Sequence, residues 1–138
     1  MKKVLFIMSA LTLGLVGCGD DIKKNPLVAE WDTPYQTPPF SEIKLEHYEP
    51  AIDYAIELNR AEIDAIINNP EAPTFENTIV AMEQAGSLLG RVTGVFFVLN
   101  NCCTSPEMQE IAQRVTPKLT ELGNDVSLNP ELFARVKA

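Results

Sequence analysis

Residues 45–70 read LEHYEPAIDYAIELNRAEIDAIINNP, and within them Leu45, Tyr48, Ile52, Ile56, Ile63 and Ile66 recur at spacings of three, four and seven. That rhythm is one apolar stripe on a helix of 3.6 residues per turn, and it runs to the stop signal Asn68-Asn69-Pro70. Pro50 lacks a backbone N–H and is tolerated only near a helix N-terminus, so regular helix is expected from close to Glu46–Pro50, with a lead-in turn before it. A helix with one apolar face needs further helices to cover it.

Downstream the same logic repeats. In PEAPTFENTIVAMEQAG, residues 70–86, Pro70 and Pro73 keep the connection out of helix. Thr74 is placed to cap the next one, with Glu76 favoured in its first turn by the helix dipole. Phe75, Ile79, Met82, Leu89 and Phe96 or Phe97 would form one long apolar face. Gly86, Gly90 and Gly94 fall every four residues along it, a stripe expected to admit close backbone approach of another helix at a cost of about 1 kcal/mol per glycine in helix propensity. Ser105 caps a third helix carrying Met108, Ile111, Val115 and Leu119 or Leu122 on one face, with Pro117 expected to kink it. Asn129-Pro130-Glu131 starts a fourth, with Leu132, Phe133 and Val136 on its stripe. It meets no stop signal before Ala138, which reads as a truncation in mid-helix. The expected fold is all-α, with antiparallel helices over residues 45–138.

Upstream, residues 25–43 hold four prolines, at 26, 34, 38 and 39, interleaved with Trp31, Tyr35 and Phe40. An extended or polyproline-like arm over 18–44 is expected, anchored through its aromatic side chains. At the start, Lys2 and Lys3 precede an uncharged apolar run, Val4 to Gly17, shorter than the roughly 20 residues that span a bilayer. Residues 1–17 are therefore read as an export signal. Leu15-Val16-Gly17-Cys18 resembles a lipobox, which makes Cys18 the lipidated residue of a protein exported from a bacterial cell and held at a membrane, periplasmic or on the outer surface. The alternative is an ordinary secretory signal with Cys18 a bystander. Asp20 and Asp21 resemble an acidic tag that directs lipoproteins outward.

The 138 residues are 46% hydrophobic and 22% charged, which fits one globular core. Without Lys2 and Lys3, nine basic residues face 19 acidic ones, so the remainder carries about −10 and repels phosphate backbones; no nucleic-acid partner is expected. Cys102 and Cys103 are adjacent and would close a disulfide only through a strained ring, so two reduced, partly buried thiols are expected. They also lack the spacing of a zinc framework. His47 is the sole histidine and reads as solvated or capping. No nucleophile elbow, Walker loop or dinucleotide-binding turn occurs. Glu57, Glu62, Asp64 and Glu83 read as charged helix faces. No catalytic residue and no metal ligand is assigned within this chain.

Residues 25–52, NPLVAEWDTPYQTPPFSEIKLEHYEPAI, and 68–99, NNPEAPTFENTIVAMEQAGSLLGRVTGVFFVL, resemble the N-terminal region of the thimet oligopeptidase family of zinc metallopeptidases, in its bacterial peptidyl-dipeptidase branch, and the similarity continues through LNPELFARVKA. The resemblance implies the N-terminal portion of a larger, clam-like helical protease that admits short peptides to a deep channel. There an HExxH helix and a downstream glutamate hold zinc, and the enzyme releases C-terminal dipeptides. This chain has no HExxH, so zinc would be bound beyond it, and the chain alone is expected to be inactive. The other reading is a self-contained helical lipoprotein acting as an interaction module.

Overall fold

The computed structural model describes residues 19–138, so residues 1–17, read as an export signal, and Cys18 lie outside the described residues. Every regular element among them is helical. In chain order these are α1 (Gly19–Ile22), a 3₁₀ turn (Pro34–Gln36), α2 (Leu45–Ile67), a π-helical segment (Phe75–Val80), α3 (Ala81–Gln84), α4 (Ser87–Cys102), α5 (Pro106–Ser127) and α6 (Pro130–Lys137). No described helix is long and apolar enough to cross a membrane.

The helix boundaries follow local chemistry. Asn77 donates its backbone N–H to Thr74 Oγ1 at 3.1 Å, Met108 donates likewise to Ser105 Oγ at 3.2 Å, and Asn129 Oδ1 accepts from Glu131 and Leu132. Each side chain satisfies backbone donors that have no partner within the helix. α2 begins at Leu45, slightly earlier than expected, because His47 Nδ1 accepts the Lys44 N–H at 3.0 Å and closes the first turn. His47 is therefore a capping residue.

α2 is the centre of the fold. It packs against both α4 and α5, which meet each other far less. The core gathers Tyr48, Ala51, Ile52 and Ile56 of α2 with Val92 and Phe96 of α4 and Met108, Ile111, Val115 and Leu122 of α5. Ala51 and Ala55 are fully or almost fully buried, small enough to let neighbouring helices close on α2. Phe96, also fully buried, stacks obliquely on Tyr48 with ring centroids 5.1 Å apart. A second cluster joins Ile63 and Ile66 of α2 to Leu132 of α6.

Consecutive long helices run antiparallel, which leaves α2 and α5 parallel. Their outer faces carry a ladder of ion pairs: Glu49 with Arg114 at 2.9 Å, Asp53 with Lys118 at 2.6 Å, and Arg60 with Asp125. The partners advance together along both helices, always 65 positions apart. α6 continues the trend, with Arg135 donating to the Asn69 carbonyl at 2.8 Å.

Several expectations are corrected. The single helix predicted from Thr74 onward is broken at Ala85–Gly86, where Gly86 adopts φ 77° and its N–H donates to Glu62 Oε2 at 2.7 Å. Glu62 thus holds a chain break instead of decorating a solvated face. Before the break, the turn from Phe75 is wound as π helix, and the extra residue per turn rotates the buried face. Thr78 is consequently 2% exposed, while Phe75 and Ile79, expected on the apolar face, are 65% and 38% exposed. Leu45, the first residue of the opening stripe, is exposed at the helix end. α5 runs through Pro117 without interruption, since Pro117 and Gln113, whose carbonyl it leaves without an amide partner, lie on the solvent side. The glycine stripe is uncovered: a methyl group at Gly90 or Gly94 would meet nothing within 4 Å.

The proline-rich arm is extended only in part. Val28 and Ala29 both donate to the Asn25 carbonyl at 2.9 Å, and Pro34 opens the 3₁₀ turn. Leu27 is its main anchor, buried completely. Tyr35 and Phe40 point to solvent, and of the three aromatics only Trp31 anchors.

Two outcomes follow. Gly86→Ala places a Cβ 2.8 Å from Asn59 Nδ2 at a positive φ, and should lower unfolding free energy in urea by about 1–3 kcal/mol. Gly90→Ala in the same chain should raise it by about 0.5–1 kcal/mol, because the helix gains propensity without a clash. The second concerns pH. The hydrogen bond from Arg114 holds the Glu49 carboxyl below the ordinary value of 4.5. Its contribution is present above that value and fades as the pH falls through the lowered one. Urea titrations should show Glu49→Gln costing a few tenths of a kcal/mol near neutrality, with the difference from wild type shrinking under acid conditions.

Candidate functional site

Two surface features have the shape of sites. The first lies where the arm crosses α4. Arg91 Nη2 reaches three successive carbonyl oxygens of the arm, those of Leu27 at 3.2 Å, Val28 at 2.8 Å and Ala29 at 3.2 Å. Its guanidinium carbon sits 4.6 Å from the centroid of the Trp31 ring, a cation–π contact, and Trp31 Nε1 donates to the Pro26 carbonyl at 2.7 Å. From the other side, Asn25 Oδ1 accepts the Leu27 N–H at 3.0 Å while Asn25 Nδ2 donates to the His47 carbonyl at 2.8 Å. The arm is therefore clasped between α4 and the start of α2. Beside the clasp, Glu30, Trp31, Asp32, Gln36 and Arg91 line an open cleft of about 670 Å³. Arg91 Nε is buried there without a partner.

The second feature is a groove of about 560 Å³ lined by Leu89, Gly90, Thr93, Gly94, Phe97, Val98, Asn101 and Leu119. Its floor is glycine backbone and its walls are mostly apolar. It offers contact surface and no acid, base or nucleophile.

Outside the ion-pair ladder of α2 and α5, the carboxylates singled out in the sequence do not converge. Glu57, Asp64 and Glu83 are exposed, as expected for helix faces, whereas Glu62 is committed to Gly86. Among the described residues no three His, Cys, Asp or Glu side chains come together as a metal site, and His47 Nδ1 is occupied by the Lys44 N–H. These residues do not fit a zinc centre. Cys102 and Cys103 are free and exposed, contrary to the expectation of partial burial, because they fall at the C-terminal end of α4.

No protein-family model matches the chain. Against individual proteins the similarity is clear. The chain is 47% identical over 114 residues to the dipeptidyl carboxypeptidases of Salmonella typhimurium and Escherichia coli, a match covering 83% of this chain and 17% of each relative. It is 30% identical over 109 residues to oligopeptidase A of Escherichia coli, covering 79% of this chain and 15% of that one. The chain belongs to the thimet oligopeptidase family. It spans about one sixth of the length of the relatives it matches.

For this family member, the clasp explains why a run rich in proline is held in place with little regular structure. Sequence reading found Trp31 but missed Arg91 and Asn25, whose roles depend on backbone carbonyls and amides brought together by the fold. A lone arginine interrupting the apolar run of 88–99 was the available signal.

Arg91→Met should free the arm: loss of a charged donor and the ring contact should cost about 2 kcal/mol. Trp31 is the sole tryptophan, so its emission should shift to the red, and limited proteolysis should cut within 25–40 in the variant ahead of wild type.

Proposed function

We propose that this chain is the N-terminal part of a lipid-anchored, zinc-dependent peptidyl-dipeptidase, whose catalytic residues lie outside residues 19–138. The identity of 47% to two dipeptidyl carboxypeptidases carries this reading. In it, α2, α4 and α5 serve as scaffold for one wall of a channel that admits short, unstructured peptides. The substrate would be a short peptide from which C-terminal dipeptides are released. Zinc would be held elsewhere in the full-length protein, since the described residues offer no fitting donor set.

The surface supports a scaffold role. Phe75, Val98, Leu128 and Phe133 are each more than half exposed, and the glycine groove is open. Large apolar side chains left to water on several faces are what remains when a wall is viewed without the rest of its building. Cys18 supplies the proposed membrane attachment, on the exported side of a bacterial membrane, periplasmic or outer.

The test takes the gene through the codon for Ala138 and assays the product of the whole reading frame. Release of C-terminal dipeptides should be abolished by a zinc chelator and restored by zinc, and should sediment with membranes in wild type but stay soluble in Cys18→Ser. Residues 19–138 alone should release nothing. A stop codon directly after Ala138, or dipeptide release by residues 19–138 themselves, would overturn the reading.

A further inference from the structure

The end of α4 carries two thiols that the scaffold role does not use. Cys102 is the last residue of the helix, and Cys103 follows with its N–H donating to the Leu99 carbonyl at 2.8 Å. Both side chains are exposed and free, and their sulfurs meet in a thiol–thiol hydrogen bond at 3.4 Å. Neighbouring Cα atoms stand about 3.8 Å apart across a trans peptide, under the roughly 4.4–6.8 Å that disulfides span. A disulfide here would be strained and readily reduced. Zinc in a structural site takes four ligands, and among the described residues no third donor joins the pair.

What the pair does supply is a two-sulfur bite. With bonds to sulfur of about 2.3 Å, as in zinc thiolates, sulfurs 3.4 Å apart subtend an angle of about 95° at a bound centre. A tetrahedral ion would want them about 3.75 Å apart, and a linear two-coordinate soft ion about 4.6 Å. An angle near 95° suits a pyramidal trivalent centre that bonds through p orbitals and keeps a lone pair. Trivalent arsenic is the thiophilic example.

We propose that Cys102 and Cys103 form a vicinal dithiol site for a trivalent thiophilic metalloid, taken up as an arsenous acid or an organoarsenous oxide. With an oxide R–As=O, two As–S bonds form and the As–O bond breaks. Both thiol protons leave with that oxygen as water. Arsenic stays trivalent throughout, so no oxidant or reductant enters. The hydrogen bond with Cys102 raises the Cys103 thiol above its ordinary value, so Cys103 arrives carrying its proton.

The probe is phenylarsine oxide, applied to the full chain with Cys18→Ser, which leaves these two as the only cysteines of the original three. Intact mass should show one phenylarsenic group per folded chain, bound with loss of one water. It should be retained against a monothiol and released by a dithiol. Cys102→Ser or Cys103→Ser should each weaken retention by on the order of 100-fold, because the second As–S bond is no longer intramolecular. Both positions are exposed, so these variants should melt like the parent. Equal retention in either single variant, or an adduct formed only after unfolding in urea, would overturn the proposal.

Discussion

Burial of α2 on two sides is the constraint on which the rest of the described structure depends. A helix with a single apolar stripe can satisfy it against one partner, but α2 buries Tyr48, Ile52 and Ile56 together with the small residues Ala51 and Ala55, and so accepts α4 and α5 at once. Because those two helices touch each other little, each depends on α2 for its place. Loss of α2 packing would leave two amphipathic helices without a common core, and it is packing of the apolar face that supplies most of a helix's stability in a folded chain.

Polar contacts then decide what the apolar core leaves open. The arm has too little regular hydrogen bonding to hold itself, and it is fixed by Leu27 in the core, by Arg91 on its carbonyls and by Asn25 on the start of α2. Glu62 performs the corresponding service at Gly86, where the chain must change direction between α3 and α4. In both places a side chain from a packed helix captures backbone groups that have no helical partner, the condition for burying irregular chain at low cost.

Much of this was legible in the sequence because it depends on short-range chemistry. Thr74, Ser105 and Asn129 cap as their side chains predict, and the stripe of α2 is buried from Tyr48 to Ile66. What escaped depends on partners far along the chain. The break at Gly86 hides inside a continuous apolar rhythm, and only the carboxylate of Glu62, 24 positions earlier, makes it comfortable. The ladder between α2 and α5 joins residues that each look like ordinary solvated charges. For the candidate site, the sequence offered the absence of an HExxH motif and the aromatic arm. The Arg91 clasp and the exposure of the two thiols required the packing of α4 to be known.

The parallel ladder also bears on insertions and deletions. Since Glu49, Asp53 and Arg60 meet partners at one constant offset, α2 and α5 are aligned like two rulers laid side by side. A residue added to the connections at 68–74 or 103–105 shifts the offset everywhere by the same amount and leaves the rulers aligned. One added inside either helix between the rungs rotates the lower rungs by about 100° relative to the upper ones. Added residues are therefore tolerated in the connections, while the spacing within 49–60 and 114–125 has to be kept for the ladder to form.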